Sequence, residues 1–200
     1  MNTLDYILKK FNLVFDKDTK MPIEIPNFSR YDLPELFNEL GYKVGAEIGV
    51  RRGPFSEKLC QSIPNLSLLC IDPWRVYDTS PRLPSQARQD ANYEITKEKL
   101  KFYNAKLVKK LSMEAVIDVE PESLDFVYID GHHGYEYVRD DLMEWGKRVR
   151  SGGIISGDDY GKNALNVVKA VDEYIINRGI THWFLTQAHR DHASYFWVKQ

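Results

Sequence analysis

A buried strand and the turn after it decide the fold of this chain: Val44-Gly-Ala-Glu47-Ile-Gly49-Val-Arg-Arg-Gly53. The first half is apolar enough for a strand that is covered on both faces. Glycines in the second half allow a sharp turn and let the backbone approach a ligand without a Cβ in the way. A helix predicted from Pro54 directs its N-terminal amide groups to the same place. The spacing is Gly-x-x-x-Gly rather than Gly-x-Gly-x-x-Gly, so a tight strand-to-helix turn without a ligand fits as well.

Strand and helix patterns alternate downstream of this turn. Strands are predicted at residues 44–50, 66–72, 105–109, 124–130 and 153–157, and helices at 54–62, 92–102, 113–116, 135–149 and 164–177. The last two strands, 183–186 and 194–199, lie too close for a helix between them and predict an antiparallel hairpin. Right-handed crossovers then give an α/β fold. We expect a doubly wound, mostly parallel, Rossmann-like sheet of seven strands, with an antiparallel C-terminal hairpin strand and helices on both faces.

The N-terminal segment precedes this alternating pattern. Its apolar spacing from Asn2 to Phe15 is that of one helical face, and a loop with two prolines follows. Asp32 then has the position of an N-cap, with Glu35 at the third helical position of a short helix that stops at Gly41. We expect residues 1–31 to form a cap and residues 32–200 to form one domain.

Composition excludes several classes of partner. With 27 basic and 29 acidic residues, the chain lacks the electrostatic signature of a nucleic-acid-binding protein, and we expect no such partner. No apolar run is long enough to span a bilayer, so we expect no membrane association. Cys60 and Cys70 lie in apolar patterns and predict buried free thiols of a cytoplasmic protein. The oligomeric state stays open, a homo-oligomer included.

An acidic residue strengthens the ligand-binding interpretation of the glycine turn. Asp72 ends the second strand of the alternating pattern, about 20 residues after the turn, where a carboxylate can bind ribose hydroxyls. Both features lie at the carboxyl ends of neighbouring strands, which is the usual ligand crevice of an open α/β sheet. An ordinary strand-ending turn residue is the alternative interpretation of Asp72.

More acidic side chains follow the next strands along the sheet. Asp130 ends one strand, and Asp158 and Asp159 follow its predicted neighbour, about 5 Å away. Converging carboxylates repel each other unless they are protonated, bridged by cations or splayed apart. Mg²⁺ or a similar divalent cation relieves this conflict, so these three residues are the predicted metal ligands. Both Asp158 and Asp159 can reach one ion only where the chain leaves a straight strand; a helix-capping or loop-stabilising role for Asp159 is the alternative.

Five blocks of sequence, in this order, resemble one family. They are Glu47-x-Gly49-x-x-x-Gly53, Asp72-Pro-Trp74, Leu111-Ser-Met-Glu-Ala115, Asp125-Phe-Val-Tyr-Ile-Asp-Gly-His-His133 and Gly152-Gly-Ile-Ile-Ser-Gly-Asp-Asp-Tyr160. Over about residues 32–199 the chain is similar to the class I S-adenosylmethionine-dependent methyltransferases. Within that class it resembles the small bacterial group related to macrocin-type O-methyltransferases and cephalosporin-hydroxylase-like proteins. The resemblance implies S-adenosylmethionine (SAM) as the cofactor.

The resemblance also implies a role for each matching residue. The residues expected to border the methionine part of SAM are Glu47, Gly49 and Gly53. Asp72 is expected at the ribose with Trp74 beside the adenine, and Ser112 and Met113 at the adenine edge. Asp130 is expected to adjoin the cofactor in addition to binding metal. Two alternatives stay open: Ser112 as the N-cap of the helix at 113–116, and Trp74 as a core aromatic residue.

Two histidines lie between the acidic residues. Methyl transfer to oxygen requires a proton to be removed, and histidine titrates near neutral pH. His133 matches the position at which metal-dependent relatives carry a basic catalytic residue, so it is the predicted base. His132 is interpreted as a wall of the cofactor site or a contact behind it. The polar residues 189–192 are interpreted as a solvated hairpin tip, with the edge of a substrate pocket as the alternative. The charged residues 139–141 are interpreted as exposed helix surface.

Together these patterns predict a SAM-dependent methyltransferase that O-methylates a hydroxylated small molecule or a sugar with the help of a divalent metal. The polar loop Pro73–Gln89 and the N-terminal helix are expected to close over the acceptor. A metal-independent methyltransferase with His133 as base is one alternative, and a non-catalytic nucleotide- or cofactor-binding module is another. A nicotinamide-dependent reductase is disfavoured, because its Tyr-x-x-x-Lys spacing occurs here only at positions outside the expected context.

Overall fold

A central sheet of eight strands organises the computed structural model, which describes residues 1–16, 18–76, 85–188 and 192–200. The strands are β1 (Ile23–Ile25), β2 (Val44–Ile48), β3 (Ser67–Ile71), β4 (Ala105–Val108), β5 (Leu124–Ile129), β6 (Val149–Gly161), β7 (Phe184–Thr186) and β8 (His192–Val198). Their order across the sheet is β1-β7-β8-β6-β5-β2-β3-β4. Only β8 runs antiparallel to its neighbours β6 and β7, so the predicted doubly wound, mostly parallel fold is confirmed.

Helices cover both faces of this sheet. They are α1 (Thr3–Lys10), α2 (Leu33–Glu39), α3 (Pro54–Ser62), α4 (Gln86–Leu100), α5 (Ser112–Ala115), α6 (Tyr135–Arg148) and α7 (Leu165–Arg178), with short 3-10 turns at Arg30–Asp32 and Val116–Asp118. Alternate residues of β5 belong to different cores. Phe126 and Tyr128 pack with residues of α1, α2 and α3, whereas Val127 and Ile129 pack with residues of α6 and α7. The continuously apolar strand therefore follows from burial on both faces.

The sheet has eight strands instead of the predicted seven because the N-terminal segment contributes β1. This strand pairs in parallel with β7, from Ile23 opposite Phe184 to Ile25 opposite Thr186. Three residues between two prolines carry too little pattern to predict a strand, and the partner lies about 160 residues later in the sequence. Helix α1 adds a fully buried Ile7 to the same core as Leu36 of α2.

The N-cap position of α2 is Asp32, as predicted, but its side chain makes no capping hydrogen bond to α2. Ser29 caps the 3-10 turn before α2: its hydroxyl accepts a hydrogen bond from the Tyr31 backbone, and the Asp32 carboxylate accepts one from the Ser29 backbone at 2.7 Å. Asp32 therefore closes a 3-10 turn and does not cap α2 with its own side chain. The consequence is local but important, since this turn carries Arg30.

Helix α4 begins at Gln86, six residues before the predicted start at residue 92. The buried face of α4 carries the polar side chains Gln89, Asn92 and Thr96, so the apolar spacing that marks a helix is missing there. The predicted loop thus loses its last four residues to the helix. Residues 77–84 lie outside the described part of the chain, as does the proposed lid that they would form.

The predictions about the two cysteines and about membrane-spanning segments can be compared with the structure. Cys60 and Cys70 are both buried and free, as predicted. Within the described ranges, no helix combines the length and apolar character needed to cross a membrane.

We expect Ile7→Ala to lower the free energy of unfolding by about 2–5 kcal/mol, because Ile7 is 0% exposed and its removal leaves a cavity in the shared core. Chemical denaturation measures this change. The matched control is Val14→Ala, since Val14 is 84% exposed and its loss should cost less than about 0.5 kcal/mol. An unchanged unfolding midpoint for Ile7→Ala would show that residues 1–31 do not share the core.

Candidate active site

The glycine turn lies at the carboxyl end of β2 and leads into α3. Gly49 has φ +91° and Gly53 has φ +71°, a backbone region that favours glycine. A Cβ on Gly49 would lie 2.0 Å from the carbonyl oxygen of Asp130, so a side chain cannot fit there. The turn therefore brings the end of β2 against the end of β5 and leaves the N-terminus of α3 directed to this edge of the sheet.

Asp72 and Trp74 hold the glycine turn from the adjacent strand end. The Asp72 carboxylate accepts hydrogen bonds from the backbone of Arg51 and of Trp74, both at 2.8 Å. The Trp74 indole donates to the Arg51 carbonyl at 2.8 Å, and its ring is fully buried against Tyr93. Asp72 is thus at the expected strand end, whereas Trp74 supports the turn from behind as a core aromatic residue.

Glu47 also lies behind the turn. Its side chain is only 2% exposed and accepts a hydrogen bond from the Ser56 hydroxyl of α3. Burial raises the pKa of Glu47 to about 8, and the Ser56 hydrogen bond only partly opposes this effect. Glu47 therefore braces β2 against α3 in this arrangement.

Ser112 and Met113 begin α5, beyond β4. The Ser112 hydroxyl donates to Asp141 of α6 and accepts from the Trp145 indole at 2.7 Å, while Met113 is 37% exposed. Ser112 does not cap α5, because the cap position is Leu111. Asp141 was predicted to be exposed helix surface; that is wrong, since it is 5% exposed and burial raises its pKa to about 7.

Three side chains with ligand or base chemistry meet beyond β5 and β6. His133 Nε2 lies 2.9 Å from Asp159 Oδ2 and 3.9 Å from Asp130 Oδ1. The hydrogen bond to Asp159 raises the pKa of His133, and the same bond lowers the pKa of Asp159. Burial raises the pKa of Asp130 to about 7 despite the opposing charge of Arg30. His133 and Asp159 thus form an ion pair when His133 is protonated.

Arg30 and Asp158 form the other half of this cluster. Arg30 Nη1 donates to Asp158 Oδ2, and Arg30 Nη2 donates to Asp130 Oδ2 at 3.2 Å. The second oxygen of Asp158 accepts a hydrogen bond from Ser194 of β8 at 2.9 Å. Asp158 and Asp159 are consecutive, yet they bind different partners, because Asp159 has φ +63° where the β6–β8 register shifts.

The predicted metal set is therefore not assembled as one group. Asp158 is engaged by Arg30 and Ser194, so the residues that could share one ion are Asp130, His133 and Asp159, whose ligand atoms lie within 4.8 Å of one another. This is the one such group among the described residues. An imidazole nitrogen suits Zn²⁺ or Fe²⁺ better than Mg²⁺.

The remaining histidines are placed differently from one another. His132 Nδ1 accepts a hydrogen bond from the Gly134 backbone at 2.9 Å, and its ring lies 4.1 Å from the Tyr137 ring. His132 thus shapes the loop before α6. His192 begins β8 with Nδ1 3.6 Å from Asp159 Oδ1, so it lies at the site and not at a solvated tip. Residues 189–191 fall outside the described ranges.

Sequence reasoning missed Arg30, Asp141 and Ser194. Arg30 lies in a segment that was interpreted only as a cap, and nothing near it in sequence marks its distant partners. Asp141 occupies a helix position beside two exposed charges, and only its apolar neighbours Val138, Leu142 and Trp145 could have signalled burial.

Comparison with known proteins gives one family and one fold. A family model described as a methyltransferase domain matches residues 46–160. The structure of the O-methyltransferase NovP matches with a TM-score of 0.63 and 18% identity, over 86% of this chain and 79% of that one. The O-methyltransferase from Bacillus cereus, in complex with S-adenosylhomocysteine (SAH), matches with a TM-score of 0.61 and 16% identity, over 98% and 90% of the two chains. The O-methyltransferase TomG from Streptomyces achromogenes, in complex with SAM, has a TM-score of 0.60 and 13% identity, over 100% and 97%.

A curated relative is the uncharacterized protein R132 of Acanthamoeba polyphaga mimivirus. It is 28% identical over 120 residues, which are 57% of this chain and 50% of that protein. The chain therefore matches half the length of this relative.

The methyltransferase-domain match covers more than half of the chain and contains the glycine turn, Asp72, Asp130 and His133. The doubly wound, mostly parallel sheet is the fold expected from the sequence resemblance. The protein therefore belongs to the class I S-adenosylmethionine-dependent methyltransferases.

Proposed function

We propose that this protein transfers a methyl group from SAM to a hydroxyl oxygen of a small acceptor molecule, a sugar or another hydroxylated compound, with His133 as the general base. The observation that carries the proposal is the hydrogen bond between Asp159 and His133, three residues after Asp130, whose backbone adjoins Gly49 of the glycine turn. Three of the similar structures are O-methyltransferases, which supports the choice of oxygen as the methyl acceptor.

The geometry of His133 defines how it would act. Its Nε2 is the nitrogen that meets Asp159, so in the neutral ring Nε2 carries the proton and Nδ1 carries the lone pair. The side chain is 52% exposed, which leaves the ring open to an acceptor. Asp159 orients the ring and stabilises the imidazolium that forms when Nδ1 takes the hydroxyl proton.

The residues at the glycine turn fit SAM. Helix α3 directs backbone amides to this edge, and Asp72 presents a carboxylate at the next strand end. When bound, SAM supplies an electrophilic methyl group on a cationic sulfur. The protein's part is to hold the acceptor oxygen in line with that methyl group and to remove its proton.

A metal-assisted version of the reaction is the second candidate. The convergence of Asp130, His133 and Asp159 favours it, because two carboxylates and an imidazole can hold a divalent cation. Such an ion would compete with the proton shared by His133 and Asp159, and it would remove His133 as the base. We therefore favour the version in which His133 is the base and binds no metal ion.

Calorimetric titration with SAM and with SAH, each with and without Mg²⁺, tests cofactor binding. We expect both to bind, and we expect Asp72→Asn to weaken binding by about tenfold or more, because a charge-assisted hydrogen bond to the ribose is lost. Asp118→Asn is the control, since Asp118 pairs with Lys110 on the surface. The absence of binding by either compound would refute the proposed function.

The transfer step is tested with His133→Gln. SAH formation is measured with SAM and a panel of sugars and other hydroxylated small molecules. Loss of the base should lower kcat by about 10²–10⁴-fold while the SAM Kd stays within about twofold. The control His182→Gln, a histidine packed against Phe15, should keep the wild-type rate. A full rate in His133→Gln would exclude His133 as the base.

We expect Asp159→Asn to lower the pKa of His133, because the hydrogen-bonded carboxylate is the main cause of its raised value. A ring ¹H–¹⁵N NMR titration measures this pKa without any acceptor. The pair should stabilise the folded protein fully below the unfolded-state histidine pKa of about 6.5, down to the acid range in which Asp159 takes up a proton. Its contribution should disappear as the pH rises through the raised pKa of His133. An unchanged titration in Asp159→Asn would mean that the pair does not form.

A further inference from the structure

We propose that Arg30 is the resident cation of the acidic cluster: its guanidinium lies between Asp130 and Asp158, two of the three residues that the sequence predicted to bind a divalent ion. This inference deepens the proposed function. Only its consequence for catalysis, that Asp159 remains the partner of His133, rests on that function, because the charge arrangement exists without a substrate. Arg30 lies outside residues 46–160, the part of the chain that the family model matches. It is a positioning residue, because its partners are acids and not a reacting group.

The contacts of Arg30 divide the carboxylate oxygens between two sides. Oδ2 of Asp130 and Oδ2 of Asp158 face the guanidinium, whereas Oδ1 of Asp130 faces His133 at 3.9 Å. Oδ1 of Asp158 accepts from Ser194, and the Ser194 hydroxyl also lies 2.9 Å from the Tyr128 hydroxyl. Asp158 is therefore held by Arg30 and by Ser194 of β8.

Arg30 is itself held in place by the surrounding protein. Its guanidinium carbon lies 5.0 Å from the Phe55 ring centre and 5.4 Å from that of Tyr128, distances at which a cation is attracted to an aromatic face. Its backbone lies in the 3-10 turn that Ser29 and Asp32 close. The side chain is 27% exposed, so much of it is removed from water. Arg30 therefore differs from an exposed surface arginine, whose ion pairs contribute little because the side chain is mobile and solvated.

Charge explains why a second cation is disfavoured. Arg30 already compensates Asp130 and Asp158 through its hydrogen bonds to both carboxylates. Arg30 stays protonated at any physiological pH. A divalent ion at Asp130 would lie close to the guanidinium, and like charges a few ångströms apart in a partly buried site repel strongly. Because Arg30 binds Asp130 and Asp158, Asp159 remains available as the hydrogen-bond partner of His133.

Mn²⁺ binding to the full-length protein, measured by electron paramagnetic resonance without SAM or acceptor, tests the proposal. We expect weak binding by the wild type and at least about tenfold tighter binding by Arg30→Gln, because the uncompensated acids then attract the ion. Arg30→Lys keeps the charge and should return binding toward the wild-type value. Adding Asp158→Asn to Arg30→Gln should remove most of the gain.

The matched control is Arg150→Gln. Arg150 also pairs with an aspartate, Asp125 at 2.7 Å, and lies 5.3 Å from an aromatic ring centre, that of Tyr42, but it is remote from the cluster. This variant should leave Mn²⁺ binding unchanged. A purely structural role for Arg30 would not produce a gain in metal affinity that Lys reverses.

Two results would overturn the proposal: wild-type binding of Mn²⁺ as tight as that of Arg30→Gln, or equal binding by the Gln and Lys variants. If Arg30→Gln does not fold, tight Mn²⁺ binding by the wild type itself takes the place of the first result, because the proposal requires that binding to be weak. Failure of the proposed function is a separate outcome, because it appears as loss of SAM binding or of methyl transfer and not in the Mn²⁺ measurement.

Discussion

The ends of β2 and β5 touch through backbone atoms, and this contact joins the two halves of the site. The Asp130 amide donates to the Ile48 carbonyl at 2.7 Å, and Gly49 passes so close to Asp130 that a Cβ would overlap its carbonyl oxygen. The glycine turn and the acidic cluster are therefore neighbours across a single strand pair. The proposed function depends on this contact, because a methyl donor at the turn and a base beyond β5 must act on one acceptor atom.

Compensation of buried acids is the second constraint on this edge of the sheet. Glu47 and Asp141 are hydrogen-bonded to neutral serine hydroxyls, and burial raises the pKa of each. Asp159 is hydrogen-bonded to His133, and its pKa is lowered instead. A cationic partner stabilises the ionised form, whereas a single neutral donor does not offset the loss of water. Asp130 shows both effects, since burial raises its pKa to about 7 although the charge of Arg30 opposes this.

Local pattern predicted most of the fold and half of the site. The apolar strands and the glycine turn depend on burial and backbone conformation, which neighbouring residues determine. Asp72, Asp130 and His133 could be placed because parallel strands bring their carboxyl ends to one edge. Strand β1 and the start of α4 could not, because three residues between prolines and a helix with a polar buried face lack the expected spacing. The role of Asp158 could not be predicted, because it depends on its hydrogen-bond partner Arg30, which is distant in sequence.

The sequence by itself determined that this chain forms a doubly wound sheet with a glycine turn, because both are consequences of residue spacing along the chain. Tertiary structure alone decided how the acidic cluster is neutralised. Arg30 lies 100 residues before Asp130 and 128 before Asp158, and the fold brings it between them through a capped turn and two aromatic rings. No local pattern encodes such a pairing, because the energy of an ion pair depends on distance and burial in space and not on separation in sequence.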